Sequence, residues 1–348
     1  MGFTPLYYTR LGQAYVGDSL ELLPHLSDES IDLVITSPPF ALLRKKSYGN
    51  VQETEYVNWI KPFGKEIFRI LKKDGSFVLD LGGAYKQGIP ARSLYNFRVL
   101  LCFCDELNFK LAEDFYWYNP AKLPSPIEWV NKRKIRVKDA VNTVWWFSKS
   151  EHPKADVTKV LAPYSDRMKQ LIKDPVNFYK PEKRPSGHDI SVGFAKDNGG
   201  AIPSNLLSIP NTDSSSSYMR LCKSLGIERH PARFPMDLPS FFIKMLTSEG
   251  DIVLDIFGGS NTTGFVAETL NRKWLTYELN NNYLAASIFR FMERNDEKEA
   301  KCIYNVLNNS EANYFFENKK FDLKVSRFPS KNNKLKKHCC SNQELKFN

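Results

Sequence analysis

Two short stretches of the 348-residue chain carry residue types whose spacing could do chemistry. The first is Asp255 to Gly264 (DIFGGSNTTG), set between an apolar run and a helical one. Glycines let the backbone approach a ligand closely, and an acid ending the next strand, Glu278, can accept two hydrogen bonds from ribose hydroxyls. The glycines do not follow G-x-G-x-x-G, so the dinucleotide fingerprint is unmet and a nicotinamide-dependent oxidoreductase is disfavoured. Taken alone, a tight strand-to-helix connection explains them equally well. The second stretch is Thr36 to Phe40 (TSPPF), directly after IDLVIT. Pro38 and Pro39 fix φ and remove backbone N–H donors, so the turn presents carbonyl acceptors, the Ser37 hydroxyl and the Phe40 ring. Such a set suits a planar group bearing an amino donor; a strand-ending turn with a core phenylalanine is the plainer alternative. Leu81-Gly82-Gly83 is followed by no comparably placed acid and reads as structural.

Together the two stretches resemble the DNA amino-methyltransferases that use S-adenosylmethionine, in which [D/N/S]-P-P-[Y/F] is the catalytic loop and D-x-F-x-G-S-G/N-T-T the cofactor loop. The catalytic motif comes first here and the cofactor motif last, the order of that family's β-type. The resemblance implies an α/β fold: a circularly permuted Rossmann-like methyltransferase sheet with a smaller inserted DNA-recognition module. Its catalytic domain would be discontinuous, residues 1–150 and 230–322, with the target-recognition module at 151–229 and a basic tail at 323–348. Serine as the first motif residue resembles the cytosine-N4 branch, whereas adenine-N6 enzymes more often carry Asp or Asn there. Adenine-N6 methylation and an inactive DNA-binding module of the same fold remain alternatives. Thr36 to Asn50, Phe115 to Lys149 and His230 to Pro235 (HPARFP) are also similar to cytosine-N4 methyltransferases of restriction systems recognising CAGCTG. This similarity, over most of residues 10–295, implies the modification half of a type II restriction-modification system, with double-stranded DNA as substrate and a cognate endonuclease as functional partner.

By the same resemblance, Ser37, Pro38, Pro39 and Phe40 are catalytic, while Asp255, Phe257, Gly258, Gly259, Asn261, Thr262 and Glu278 hold the cofactor. Asp18 matches the family acid that bonds the cofactor's adenine amino group, and Phe234 and Phe257 flank its adenine and methionine portions. The cytosine N4 lone pair is delocalised into the ring, so the amino group must be made more tetrahedral before it attacks a sulfonium methyl. Ser37 Oγ and the Pro38 carbonyl can accept its N–H bonds and favour that geometry. No side-chain nucleophile or metal is called for, and no cysteine follows a proline as cytosine-C5 methylation requires. The target base lies inside a duplex, so it should be flipped out onto Phe40. Basic residues follow the catalytic loop (Arg44, Lys45, Lys46) and cluster at Lys132, Arg133, Lys134, Arg136 and Lys138, near Trp129, Trp145 and Trp146. Both groups could neutralise phosphates. Base reading is expected from the polar module, from residues such as Arg184, Ser186, His188 and Asp189.

The elements that must position these loops alternate. IDLVIT reads as a strand buried on both faces, and EYVNWIKPFGKEIFRILKKDG as a helix stopping at Gly75. SFVLDLGG, LAEDFYWYN and AVNTVWWFSKS read as strands, with NFRVLLCFCDELNF a helix between the first two. From about 150 to 230 periodicity fades into Lys, Pro, Ser and Gly. Helix LPSFFIKMLTS, strand DIVLDIFGG, helix NTTGFVAETLNR, strand KWLTYELN and helix YLAASIFRFMERN complete the pattern. Composition agrees: 42% hydrophobic residues supply a core, and no apolar run reaches membrane-span length. Six cysteines without C-x-x-C point to a reducing cytoplasm rather than a disulfide framework, and Cys339, Cys340 and His338 lack a fourth zinc ligand. The net charge of +10 favours a polyanionic partner, although Lys324, Arg327, Lys331, Lys334, Lys336 and Lys337 place part of it in the tail.

Overall fold

The apolar runs become neighbouring strands of one mixed sheet. The computed structural model describes residues 4–41, 51–178, 185, 195–292, 297–309, 314–315, 317–319 and 322–324. Its strands are β1 (Tyr7–Tyr8), β2 (Gly12–Val16), β3 (Ile31–Thr36), β4 (Leu71–Leu81), β5 (Lys110–Tyr118), β6 (Val141–Ser148), β7 (Leu206–Ser208), β8 (Ile252–Asp255), β9 (Lys273–Glu278) and β10 (Tyr314–Phe315). They pair in the order β10-β1-β2-β9-β8-β3-β4-β6-β5-β7. From β2 to β4 all neighbours are parallel, while β6 runs antiparallel to both β4 and β5.

The helices are α1 (Ser19–Leu22), α2 (Tyr56–Ile70), α3 (Tyr95–Leu101), α4 (Asp166–Lys173), α5 (Pro175–Phe178), α6 (Ser217–Ser224), α7 (Asp237–Leu246), α8 (Thr262–Thr269), α9 (Asn281–Ser287) and α10 (Glu297–Asn309). Because both sheet faces are covered, every residue of β3 is buried. Leu33 and Ile35 pack toward α6 to α9, while Val34 packs with α2 and α3. Apolar residues of α2 recur at helical spacing, Ile60, Phe63, Ile67 and Ile70, and bury that stripe against the sheet. Each such fully buried side chain contributes roughly 1.5–3 kcal/mol.

Topology fixes where a ligand can enter. β3 leads through α2 to β4 on one side, and β8 leads through α8 to β9 on the other. The two crossovers diverge between β3 and β8, which pair directly, Leu33 with Val253 and Val34 with Leu254. The crevice beyond the carboxyl ends of such a strand pair is where open α/β sheets take ligands. Both chemistry-bearing loops, after Thr36 and after Asp255, leave the sheet at that crevice. The permuted α/β architecture expected from their order is therefore realised.

Several local features depart from the sequence reading. Helix α2 ends at Ile70 rather than Gly75, because Leu71 turns extended (φ −64°, ψ 136°) and pairs with Ile31. The stretch expected as an inserted module, 151–229, divides in two. Its last part belongs to the sheet and core: β7 pairs with β5, and Tyr218, Met219, Leu221 and Cys222 of α6 are buried beside α9 and α10. Helix α10, beyond the last expected helix, presents Ala300, Ile303 and Leu307 to the same core. At the start of the expected tail, Leu323 and Lys324 pair antiparallel with Asn318 and Glu317, and residues 325–348 lie outside the described ones. No helix among the described residues is long and apolar enough to cross a membrane.

Candidate active site

A cavity of about 740 Å³ opens at the crevice and joins the two loops. At one end it is lined by Asp18, Asp255, Phe257, Gly258, Gly259, Thr262 and Glu278, and at the other by Ser37, Pro38, Pro39, Phe40, Asp80, Lys122 and Asn142. Phe234 and His230 close one wall, Trp59 and Phe63 another.

At the second end, the Ser37 hydroxyl donates to Asp80 Oδ2 at 2.9 Å, and Asn142 Nδ2 donates to Asp80 Oδ1 at 3.1 Å. Asp80 projects from β4 and is 4% exposed. Burial raises its pKa to about 6, against the opposing pull of its hydrogen bonds from Ser37 and Asn142 and of the Lys122 charge. Since the Ser37 proton is committed to Asp80, the lone pairs of Oγ are left as acceptors. The Pro-Pro turn is fixed from α2, where the Tyr56 hydroxyl donates to the Pro39 carbonyl at 2.8 Å. Phe40 lies against Gly82, where an ideal Cβ would stand 2.5 Å from its ring, so only glycine lets the ring seat there. The Leu81-Gly82-Gly83 turn thus has a packing reason, as backing for the Phe40 face.

At the first end, the loop after β8 is tied down from every side. Asp255 accepts Thr36 Oγ1 at 2.6 Å, Thr263 Oγ1 at 2.7 Å and the Phe257 N–H at 3.1 Å, so its buried carboxylate joins both loops and is occupied by protein donors. Asn261, expected to touch the cofactor, is fully buried as the N-cap of α8; it accepts from the Gly264 N–H and donates to the Tyr7 hydroxyl at 2.9 Å. It is absent from the cavity lining and acts from behind. Glu278 accepts the Gly259 N–H at 2.8 Å and the Asn280 N–H at 2.9 Å, and burial raises its pKa. Asp18 caps α1 through Leu20 N–H at 2.8 Å and is exposed to the cavity. Phe257 packs on Trp59 and Phe63, with ring centroids 5.7 and 5.1 Å apart. Two carboxylates, Asp18 and Glu278, and the Phe257 ring all line this end, a set whose chemistry fits the hydroxyl and amino groups and the flat base of a nucleoside.

Sequence reasoning missed several site residues. Arg290 is buried behind the cofactor-side loop and donates to the Ser260 carbonyl at 2.5 Å, Ser260 Oγ at 2.8 Å and Thr262 Oγ1 at 2.9 Å. It lies 4.9 Å over the Tyr218 ring, and desolvation lowers its pKa to about 10. His230, whose pKa burial lowers to about 4, is neutral and packs on Gly259. Asp80 did leave a signal: it is the one acid in the apolar run Phe77 to Leu81.

The expected DNA contacts are dispersed. Lys132, Arg133, Lys134 and Arg136 are exposed and line no part of the cavity. Lys132 and Arg133 pair with Glu128 at 3.3 and 3.0 Å, and Arg136 donates to the Pro90 carbonyl at 2.8 Å. Trp145 and Trp146 are core residues of β6. Arg44, Lys45, Lys46, Arg184, Ser186, His188 and Asp189 lie outside the described residues, as do His338, Cys339 and Cys340. Among the described residues no three His, Cys, Asp or Glu side chains gather as a metal site.

Fold and site together define an α/β DNA methylase: the DNA methylase family model matches residues 31–289, and the chain belongs to that family. Among its relatives, the type II methyltransferase M.PvuII of Proteus hauseri is 63% identical over 312 residues, 89% of this chain and 93% of that protein. The solved structure of PvuII DNA methyltransferase (cytosine-N4-specific) superposes with a TM-score of 0.74 at 54% identity, over 90% of this chain and 98% of that one. The type II methyltransferase M.BamHI of Bacillus amyloliquefaciens is 28% identical over 324 residues, 92% of this chain and 65% of its own.

Proposed function

We propose that the chain methylates the exocyclic N4 of cytosine in double-stranded DNA, as the cytoplasmic modification enzyme of a type II restriction-modification system with the site CAGCTG. The observation that carries this reading is the Ser37 hydroxyl bonded to a buried Asp80 in the same cavity that Asp18, Phe257 and Glu278 line. Asp18, Phe257, Gly258, Gly259 and Glu278 are the residues that fit S-adenosylmethionine, with Phe234 and Thr262 on the cavity wall. When bound, S-adenosylmethionine supplies an electrophilic methyl group on its sulfonium.

The chain's own residues then do the following. Phe40, its own ring seated against Gly82, offers its face to a flipped cytosine. Ser37 Oγ accepts an N4–H bond, drawing the amino nitrogen toward a tetrahedral geometry and localising its lone pair. As N4 gains a methyl group it must lose one proton. Ser37 takes that proton while its own passes to Asp80, whose pKa near 6 suits an acceptor at neutral pH. Asn142 keeps the carboxylate turned toward Ser37.

Single-molecule sequencing of DNA from cells expressing the chain tests base and site at once. N4-methylcytosine at CAGCTG is the expected result; N6-methyladenine, or no modification, overturns the reading. A cognate endonuclease, if the system is complete, will be blocked by the same methylation.

A further inference from the structure

Beside the target end of the cavity, the turn Asn119–Lys122 is tied at several points. Asn119 N–H donates to Ala140 O at 2.9 Å, Lys122 N–H to Asn119 O at 3.2 Å and Ala121 N–H to Asn119 Oδ1 at 3.1 Å. Lys138 Nζ reaches across to the carbonyls of Pro120 and Lys122, at 3.1 and 3.3 Å, and Asp139 N–H bonds to Ser125 O at 2.9 Å. Asn119 and Lys122 line the cavity, and Leu123 directly follows Lys122 in the chain. Leu123 is 80% exposed, and Val137, adjacent to Lys138, is 86% exposed. An apolar side chain held out to water on a braced turn has no packing role in the free protein. Lys122 directly precedes Leu123, and the exposed cations Lys132, Arg133, Lys134 and Arg136 belong to the segment that Lys138 ties to the same turn, so cations accompany the apolar tip. That combination matches a duplex, with phosphates for the cations and a stacked interior for the leucine.

We propose that Leu123 is the wedge that enters the duplex as the target cytosine leaves it, filling the gap and holding the base in the pocket. The proposal rests on the cytosine-methylation reading above and names a residue that the reading does not require. A base pair opened into an enzyme pocket leaves unstacked neighbours, and an apolar side chain inserted between them replaces part of the lost stacking. Bracing of the turn matters because a loose loop would spend that gain on ordering itself.

The test compares two short duplexes carrying the mapped methylation site: one with the target cytosine opposite guanine, the other with it opposite an abasic position, where little pairing opposes flipping. With paired DNA, Leu123→Ala should lower kcat/KM on the order of tenfold and reduce the fluorescence of 2-aminopurine placed at the target position. With the abasic partner the loss should shrink to about twofold or less, and Leu123→Met should retain most of the activity on both. Equal losses on the two duplexes would reduce Leu123 to an ordinary contact and overturn the proposal, as would no loss on either. If the unaltered enzyme methylates neither duplex, the reaction reading itself has failed and the wedge falls with it; if it methylates both, only the wedge is in question.

Discussion

Asp80 is held at an energetic disadvantage that its chemistry explains. A carboxyl group whose pKa is raised on folding favours the fold most when protonated. Its contribution is therefore present below the unfolded value of 3.8 and is lost as pH rises through about 6. At neutral pH the buried carboxylate costs the fold about 3 kcal/mol. Asp80→Asn keeps the shape and removes the charge, so its melting temperature at pH 7.5 should equal or exceed that of the unaltered protein while kcat drops by at least about a hundredfold. A variant that loses stability and keeps turnover would refute the assignment. In the unaltered protein, single-turnover rates should fall as pH drops through about 6, because an Asp80 that is already protonated cannot take the proton passed on by Ser37. Ser37→Ala should remove that limb and most of the rate, with S-adenosylmethionine affinity preserved in equilibrium titration. Weakened affinity would mean that Ser37 serves the cofactor instead.

Among the elements, the loops after β3 and β8 behave as one unit, because Asp255 accepts from a threonine in each. Gly258 shows how little room that unit has: an ideal Cβ there would stand 2.0 Å from Thr276 Oγ1 on β9. Gly258→Ala should therefore push the loop off its strand and destabilise the protein by about 1–3 kcal/mol, as overpacking does. Adding Thr276→Ala, which deletes the obstructing hydroxyl, should recover much of both stability and cofactor binding in thermal melts with and without S-adenosylmethionine. Failure of the second change to rescue the first would show that the glycine is needed for its backbone and not its space. The loops themselves were legible in the sequence, because paired prolines and paired glycines after apolar runs have few structural explanations. So were β3, α2, β8 and α8, whose periodicities are long enough to read. What escaped was pairing across the sheet. Ser37 and Asp80 lie 43 residues apart and meet only through the β3–β4 register. Strands β1, β7 and β10 have two or three residues each, too few for any period to register. Asn261 and Asp255 were recognised as loop residues, but only the fold shows that they clamp the loop from behind.

For the molecule as a whole, the decisive property is that neither half of the chain holds a complete sheet. Strands β2, β3 and β5 take their partners β9, β8 and β7 from beyond residue 200, and Tyr7 near the start holds Asn261 and Ser287 near the end. The cavity is divided likewise, with Ser37, Asp80 and Asn142 supplied by the first half and Gly258 and Glu278 by the second. Cutting the chain at the exposed Asn198–Gly199 turn severs no strand, since Gly199 has φ +82° and open space around it. The fragments 1–198 and 199–348, co-expressed, should therefore find each other through four parallel strand pairings, β1 with β10, β2 with β9, β3 with β8 and β5 with β7, copurify at equal stoichiometry and methylate DNA. Each expressed alone should aggregate, because β3 or β8 would expose an apolar edge along the middle of the sheet. A fragment that is soluble and cooperatively folded by itself would mean that the discontinuous domain is really two, each able to bury its own core. The target and cofactor ends of the cavity would then be brought together by docking rather than by a shared sheet.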